Sequence, residues 1–240
     1  MQPHHAGARA YDEAVSTALA ERNGTEFDAS HAMDRIYRFQ RHFYDVTRPL
    51  FLFGRDTLLR RMAVRENDRV LEVGCGTARN LLKLHGLERS AQLYGLDASQ
   101  EMLATARWNV QRRGLDRRVR LEHGLAEELC HERTFGLRER FDVIFFSYSL
   151  SMIPSCVPAF DAAFASLKPG RSLYIVDFCD QARFPRLARV LLGRWLAWFG
   201  VHHRPELHAH LDQLTTTGRG TVNREVFGGR YGFFAEVRKA

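Results

Sequence analysis

An apolar run that ends in closely spaced glycines constrains the fold of this chain most. The run is RVLEVG, residues 69–74, and it passes directly into CGTARNLLKLHG, residues 75–86. A short continuous apolar run predicts a buried strand, and the next segment has helical spacing and closes at a glycine. Gly74 and Gly76 stand at the turn between them, where a tight backbone that approaches a ligand has no room for a Cβ. The segment therefore predicts a strand–turn–helix unit with a ligand at the turn.

The same alternation continues along the chain. Four further apolar segments predict strands at QLYGLD, RVRLEHG, FDVIFFSYS and SLYIVDF, the last after the turn LKPG. Ser99 is the predicted N-cap of a helix between the first two of them. Strands that alternate with helices indicate βαβ units and a parallel sheet with right-handed crossovers. The C-terminal segment predicts two more strands, joined as a hairpin at Gly228-Gly229.

The predicted organisation has three parts. Residues 1–30 form a tail with a weak helix, and residues 31–62 form a helical lid because MDRIYRFQRHFYDV has helical periodicity. Residues 63–240 form the core, which includes a helical insertion at 182–214 and the hairpin at 220–238.

Composition bounds the partners and the compartment. The formal charge of +7 and the pI of about 9.6 favour anionic partners, although many enzymes without such partners are also basic. We expect no membrane-spanning helix and no secretory signal, because the apolar runs are short and the first residues are polar. The scattered cysteines indicate reduced thiols in a cytoplasmic protein.

An acidic residue specifies the class of ligand. Asp97 ends the second predicted strand, 21 residues after Gly76. A carboxylate at that place can accept both hydroxyls of a ribose. Because the carboxyl ends of adjacent parallel strands meet at one edge, an adenosine-type ligand is predicted there.

The motif E-x-G-x-G-x-A, residues 72–78, resembles the loop of Rossmann-like S-adenosylmethionine-dependent methyltransferases, which have a third glycine where this chain has Ala78. The segments YGLDASQEML, EHGLAEEL, FDVIFFSYSLSMIP and LKPGRSLYIVDF resemble later motifs of those enzymes. The resemblance implies an α/β fold: a single doubly wound domain with a mostly parallel seven-stranded sheet, a C-terminal antiparallel hairpin and an N-terminal helical lid. It implies S-adenosylmethionine as cofactor, bound by Glu72, Gly74, Gly76, Thr77, Asn80, Asp97, Ala98, Met102, Leu125, Ala126 and Ser147. Leu125 replaces the usual acid at the adenine, Ala78 is expected to affect how closely the helix packs, and Arg171, in place of a glycine, is expected to matter little.

The flanking segments MDRIYRFQRHFYDVTRPLFLFGRD, FSYSLSMIP and VHHRPEL resemble one narrower family, the betaine-lipid N-methyltransferases. That resemblance runs from about Met33 to the C-terminus and implies three methylations of the amine of diacylglyceryl-homoserine. It also implies a lipid substrate at the inner membrane face, with the enzyme that makes diacylglyceryl-homoserine as a partner. Two alternatives remain open: a methyltransferase for a quinone, another small molecule or RNA, and a non-catalytic cofactor-binding protein. Nucleic acid is not favoured, because no separate binding module is visible.

Methylation of an amine produces a bulkier cation at each round, and aromatic faces stabilise such cations. Tyr148, just past the fourth strand, and Tyr44, on the lid, are therefore the predicted catalytic tyrosines, with Tyr37 on the same lid edge as a substrate contact. His42 or Asp45 is predicted to take the amine proton.

The substrate carboxylate suits a bidentate arginine, and the candidates are Arg41, Arg48 and Arg230, each of which could instead belong to a solvated basic face. No metal site is expected from the histidines of residues 202–210. The helix after the fifth strand places Arg186, Arg189 and Arg194 on one face and an apolar stripe on the other. We expect that stripe, which is Leu187, Leu191, Trp195, Trp198 and Phe199, to cover the sheet, and the alternative is contact with a lipid surface.

Overall fold

The computed structural model describes residues 51–240, so the predicted tail and most of the predicted lid lie outside it. The helices are α1 (Arg55–Arg61), α2 (Arg79–Leu87), α3 (Gln100–Gln111), α4 (His131–Phe135), α5 (Cys156–Ala165), α6 (Arg186–Trp198) and α7 (Pro205–Thr216). The strands are β1 (Arg69–Val73), β2 (Gln92–Asp97), β3 (Val119–His123), β4 (Phe141–Ser147), β5 (Leu167–Phe178), β6 (Gly220–Phe227) and β7 (Gly232–Lys239). A 3₁₀ turn at Ala126–Glu128 follows β3.

The strands form a seven-stranded sheet in the order β3-β2-β1-β4-β5-β7-β6. The first five strands run parallel, whereas β7 lies antiparallel to both β5 and β6. The strand order reverses between β1 and β4, and in open α/β sheets ligands bind at the carboxyl ends beside such a reversal. The predicted fold class and hairpin are confirmed.

The apolar core lies on both faces of the sheet because the central strands alternate their side chains between two helical layers. On β4, Phe146 joins the layer that contains Phe135 and Phe160 from α4 and α5. The adjacent Phe145 joins the other layer, which contains side chains from α1, α2 and α3. Both phenylalanines are fully buried, so β4 is covered on both faces of the sheet.

The insertion comprises two helices, because α6 ends before Gly200, which has φ of 72°, and Pro205 begins α7. Two other expectations about elements need correction. The segment LKPG is part of an irregular β5, where Phe141 pairs with Leu167 but Val143 pairs with Ser172. The stripe on α6 is divided: Trp195 and Phe199 pack inward, but the other three of its side chains face solvent. Among the described helices, none is long and apolar enough to cross a membrane.

Arg171 was expected to matter little, and the structure corrects this. Its guanidinium pairs with Asp68, which precedes β1, and its Nε donates to the Asp142 carbonyl oxygen at 3.0 Å. Asp142 also accepts from Lys168 Nζ at 2.9 Å and from the Arg69 N–H at 3.0 Å. These contacts join the amino ends of β1, β4 and β5, which no sequence motif links. We call Asp68, Arg69, Asp142, Lys168 and Arg171 the amino-end network.

Candidate active site

The glycine loop turns by means of left-handed backbone at three residues. Gly74, Gly76 and Ala78 have φ of 76°, 52° and 61°. A Cβ on Gly74 would lie 2.5 Å from Ser149 Cβ, so this glycine is required by conformation and by contact. A glycine at position 78 would adopt this left-handed backbone without strain, whereas Ala78 adopts it at a cost in free energy. Close packing of the helix is therefore a secondary reason for a glycine at this position.

Asp97 connects the loops after β1 and β2. Its Oδ2 accepts the Gly76 N–H at 2.7 Å, and its Oδ1 accepts the Ser99 N–H at 2.9 Å. Since each carboxylate oxygen can accept more than one hydrogen bond, this orientation is compatible with ribose hydroxyls at the same group. The carboxylate thus lies where an adenosine-type ligand needs it.

Two amides support the loop from behind. Asn80 Nδ2 donates to Glu72 Oε1 at 2.7 Å, and both side chains are buried. Asn109 Nδ2, from α3, donates to the Thr77 carbonyl oxygen at 3.1 Å. Sequence reasoning missed Asn109, because nothing in its own helix distinguishes it from a solvated polar residue.

The predicted adenine contacts lie beyond the ends of β2 and β3. Met102 is buried in the first turn of α3, where its N–H donates to the Ser99 hydroxyl oxygen, and Ala98 is half-buried. Leu125 precedes the 3₁₀ turn and remains 37% exposed, while Ala126 is buried. An exposed leucine between these elements suits contact with the flat face of a base rather than a hydrogen bond to its amino group.

The end of β4 presents a serine and a tyrosine. The Ser147 hydroxyl is buried and finds no hydrogen-bond partner within the described part of the chain. Tyr148 is buried with a left-handed φ of 57°, which is costly for a residue with a side chain. Its hydroxyl donates to the Phe53 carbonyl oxygen, and burial raises the pKa of Tyr148 well above its usual value. Tyr148 is therefore a neutral hydrogen-bond donor and cannot act as a base.

An apolar pocket lies against the Tyr148 ring. Phe178, on β5, meets that ring edge-on with centroids 4.6 Å apart. The lining residues are Phe51, Leu52, Tyr148, Met152, Phe178, Trp195, Leu196, Phe199 and Val201. This described lining contains no charged group and no histidine. The pocket therefore suits an apolar group or an alkylated ammonium that contacts aromatic faces.

Two tyrosine hydroxyls hold the segment that enters the core. The Tyr231 hydroxyl donates to the Phe51 carbonyl oxygen at 2.7 Å, and the Tyr148 hydroxyl donates to the Phe53 carbonyl oxygen. This segment forms one wall of the pocket. Tyr231 lies 180 residues from its partner in sequence, so no local pattern could have identified it.

The remaining predicted site residues are not brought together. Arg230 forms a bidentate pair with Asp180, with Nε–Oδ1 and Nη2–Oδ2 distances of 2.6 and 2.7 Å, and Arg230 holds the pKa of Asp180 below its usual range. That fork is occupied, so the geometry does not favour Arg230 as the substrate-carboxylate contact. The other candidates, which lie outside the described residues, are Tyr37, Arg41, His42, Tyr44, Asp45 and Arg48.

The predicted absence of a metal site concerns the histidines after α6. His210 Nε2 lies 2.9 Å from Asp161 Oδ1, whereas the His203 and His208 rings lie 5.9 Å apart. Within residues 51–240 no group of three or more His, Cys, Asp or Glu side chains is arranged to hold a metal ion.

The fold and the carboxyl-end loops define a Rossmann-like S-adenosylmethionine-dependent methyltransferase. The glycine loop, Asp97 and the Leu125 region are the residues that would hold that cofactor, which supplies an electrophilic methyl group when bound. The family described as "Methyltransferase domain" matches residues 65–210, more than half of the chain, and the chain belongs to that family.

Curated relatives and solved structures agree at this level. The chain is 30% identical over 139 residues to the demethylmenaquinone methyltransferase of Geobacillus kaustophilus, a match over 58% of this chain and 53% of that protein. The Bacillus mycoides enzyme of the same name is 30% identical over 62% of this chain and 57% of its own length. The chain thus spans little more than half the length of the curated relatives it matches.

Two solved structures share the fold. An S-adenosylmethionine-dependent methyltransferase from Aquifex aeolicus matches with a TM-score of 0.57 and 21% identity, over 82% of this chain and 95% of that one. The Haemonchus contortus phosphoethanolamine N-methyltransferase 2, solved with S-adenosylmethionine, matches with a TM-score of 0.62 and 16% identity, over 78% of this chain and 52% of that one.

Proposed function

We propose that this enzyme methylates the amine of diacylglyceryl-homoserine, up to three times, to give diacylglyceryl-trimethylhomoserine. The observation that carries the proposal is the pocket beside Tyr148 at the end of β4. Aromatic walls suit a head group whose nitrogen becomes a permanent cation as methyl groups are added. The resemblance of the flanking segments to the betaine-lipid N-methyltransferases adds the specific substrate.

The described residues limit how the amine loses its proton. An alkylamine must be neutral when it attacks, and the described lining of the pocket offers no carboxylate or histidine. Tyr148 stays protonated because burial raises its pKa. The proton therefore passes to water or to His42 or Asp45, and the pocket contributes orientation and exclusion of water.

The substrate suggests where the enzyme works. Diacylglyceryl-homoserine is a membrane lipid, so the proposal includes action at the inner membrane face, next to the enzyme that makes this lipid. This partner is proposed because its product, diacylglyceryl-homoserine, is the proposed methyl acceptor of this enzyme.

A prenylated quinone is the second candidate acceptor, because the curated relatives are named demethylmenaquinone methyltransferases. An apolar pocket also suits such a molecule. The two candidates differ in the nucleophile, which is a ring carbon of the reduced quinol in one case and the amine of the lipid in the other.

The test uses the purified full chain, labelled S-adenosylmethionine and three acceptors offered separately: diacylglyceryl-homoserine in vesicles, demethylmenaquinone kept reduced to its quinol in vesicles, and tRNA. We expect label in diacylglyceryl-homoserine, with products that carry one, two and three methyl groups in mass spectra. Asp97→Ala is the control for cofactor-dependent transfer, and Asp116→Ala is its matched exposed variant. Label in the quinone or the tRNA, with none in diacylglyceryl-homoserine, would contradict the proposal.

A further inference from the structure

Helix α6 carries two apolar faces, and only one of them packs against the core. Leu196 is buried and Leu192 and Trp195 are partly buried on the inner face. The outer face exposes Leu187, Val190, Leu191 and Trp198 by 72%, 53%, 58% and 74%. These four lie on one side of the helix, and Arg194 stands on the same side, one turn before Trp198. We call the four apolar side chains the outer α6 face.

Several arginines lie on or beside the outer α6 face, and no acidic side chain of residues 51–240 pairs with them. Arg183, Arg186, Arg189 and Arg194 are exposed, and none forms an ion pair with another described residue. The sequence contains no aspartate or glutamate between Asp180 and Glu206. The surface therefore combines exposed apolar side chains with positive charge.

We infer that the outer α6 face docks on an anionic lipid bilayer. Leucine, valine and tryptophan side chains enter the interface between head groups and acyl chains, and arginines reach phosphate with their guanidinium groups while their stems remain apolar. Exposure of one tryptophan and three aliphatic side chains on a single helix is unfavourable in water, so a covering surface is expected.

The arginines argue against a second copy of the chain as the occupant. Face-to-face contact of two α6 helices would bring eight arginines together, with no acid in residues 181–205 of either chain to neutralise them. Like charges at such a contact repel one another. An anionic membrane instead attracts each arginine by about 1 kcal/mol.

Docking of the outer α6 face would also bring the pocket beside Tyr148 close to the lipid surface. Trp195 and Leu196, on the inner face of the same helix, line the pocket beside Tyr148. One helix, about 10 Å in diameter, would then separate the lipid surface from the acceptor pocket. The docking inference stands on the outer α6 face alone and does not depend on which acceptor is methylated.

The test is co-sedimentation of the full chain with vesicles of phosphatidylcholine, with and without phosphatidylglycerol, at low and high salt. We expect binding that requires phosphatidylglycerol and weakens with salt. The variant Leu187→Ser/Leu191→Ser/Trp198→Ser should bind at least about tenfold more weakly, because three apolar side chains no longer enter the bilayer. The variant Arg186→Gln/Arg189→Gln/Arg194→Gln should lose most of the salt dependence.

A matched control is Leu87→Ser/Trp108→Ser, which removes comparably exposed apolar side chains from α2 and α3. It should bind vesicles as the wild type does, and calorimetric binding of S-adenosylmethionine should be unchanged in all variants, which shows that they are folded. Binding independent of anionic lipid, equal binding by all variants, or a concentration-dependent dimer that the apolar variant abolishes would each overturn the inference. Intact vesicle binding without methylation of diacylglyceryl-homoserine would instead overturn the proposed function alone.

Discussion

The two ends of the central sheet use their polar residues differently. At the carboxyl end, Asp97 accepts backbone N–H groups from two loops, and the glycine loop has left-handed backbone at three residues. At the amino end, side chains of opposite charge pair across β1, β4 and β5 in the amino-end network. At the carboxyl end, the hydrogen bonds of Asp97 fix the conformation of the loops around the predicted ligand site. At the amino end, ion pairs neutralise the charged side chains and join the strands.

The buried carboxylates show the same difference. At the amino end, burial acts to raise the pKa of Asp142, but the Arg69 N–H and Lys168 lower it below the usual value. At the carboxyl end of β5, burial raises the pKa of Asp177 to about 6, because its partners are the N–H groups of Ser151 and Phe178 rather than a cation. Substitutions at the two ends should therefore separate ligand binding from stability.

The largest expected effect is at Asp97. Asp97→Ala removes the acceptor for the ribose hydroxyls, and two hydrogen bonds to a charged group account for about 4 kcal/mol, or about 1,000-fold in the Kd for S-adenosylmethionine. Isothermal titration calorimetry measures this change. The exposed carboxylate variant Asp116→Ala should bind as the wild type does, and equal losses in both variants would remove Asp97 from the site.

The opposite result is expected at Arg171. Arg171→Leu leaves Asp68 without its cation, so the free energy of unfolding should fall by about 3 kcal/mol. Denaturant unfolding measures this loss, and the Kd for S-adenosylmethionine should stay within about twofold because the network is at the far end of the sheet. A weakened Kd in a folded Arg171→Leu protein would show that the two ends are coupled.

The third prediction concerns pH. Since the pKa of Asp177 in the folded protein is about 6, above its usual 3.8, its contribution to stability is greatest below pH 4 and is lost as pH rises through about 6. The free energy of unfolding of the wild type relative to Asp177→Asn should therefore fall by about 2 kcal/mol between pH 4 and pH 7. Urea unfolding at several pH values tests this, and a difference that does not change with pH would contradict it.

A smaller effect is expected at Tyr148. Tyr148→Phe keeps the ring in the pocket but leaves the Phe53 carbonyl without its donor, which should cost about 1 kcal/mol of stability. Methylation by Tyr148→Phe should persist, whereas Tyr148→Leu, which lacks an aromatic face, should lose at least about tenfold in kcat/KM. If the Phe and Leu variants lose activity equally, the hydroxyl and not the ring is what the reaction needs.

The smallest effect is expected at Ala78. Glycine would relieve a left-handed backbone cost of about 1 kcal/mol, but it would also remove a buried methyl group worth about 0.8 kcal/mol. The free energy of unfolding of Ala78→Gly, measured by thermal unfolding, should therefore lie within about 0.5 kcal/mol of the wild-type value. A gain well above that value would mean that the loop is more strained than its dihedral angles indicate.

Sequence patterns predicted the sheet and the glycine loop because both depend on local periodicity and on residues close in sequence. The parallel strands, the hairpin and the fold class follow from such patterns, and the structure also brings Gly76 and Asp97 together. Contacts between distant residues escaped prediction: Arg171 with Asp68, Arg230 with Asp180, and Tyr231 with Phe51. The prediction that the whole apolar stripe of α6 covers the sheet was wrong for three of its five residues, for a related reason. Helical periodicity shows that a stripe is apolar but not which of two apolar faces meets the sheet.

Hydrogen–deuterium exchange with and without S-adenosylmethionine tests the difference between the two ends most directly. We predict that the cofactor slows exchange of amides in residues 74–80, 97–103 and 124–126, which surround the carboxyl ends of β1, β2 and β3. Amides in residues 65–69 and 138–142, at the amino end, should exchange at unchanged rates. Protection at the amino end, or no protection in the glycine loop at saturating cofactor, would contradict the account.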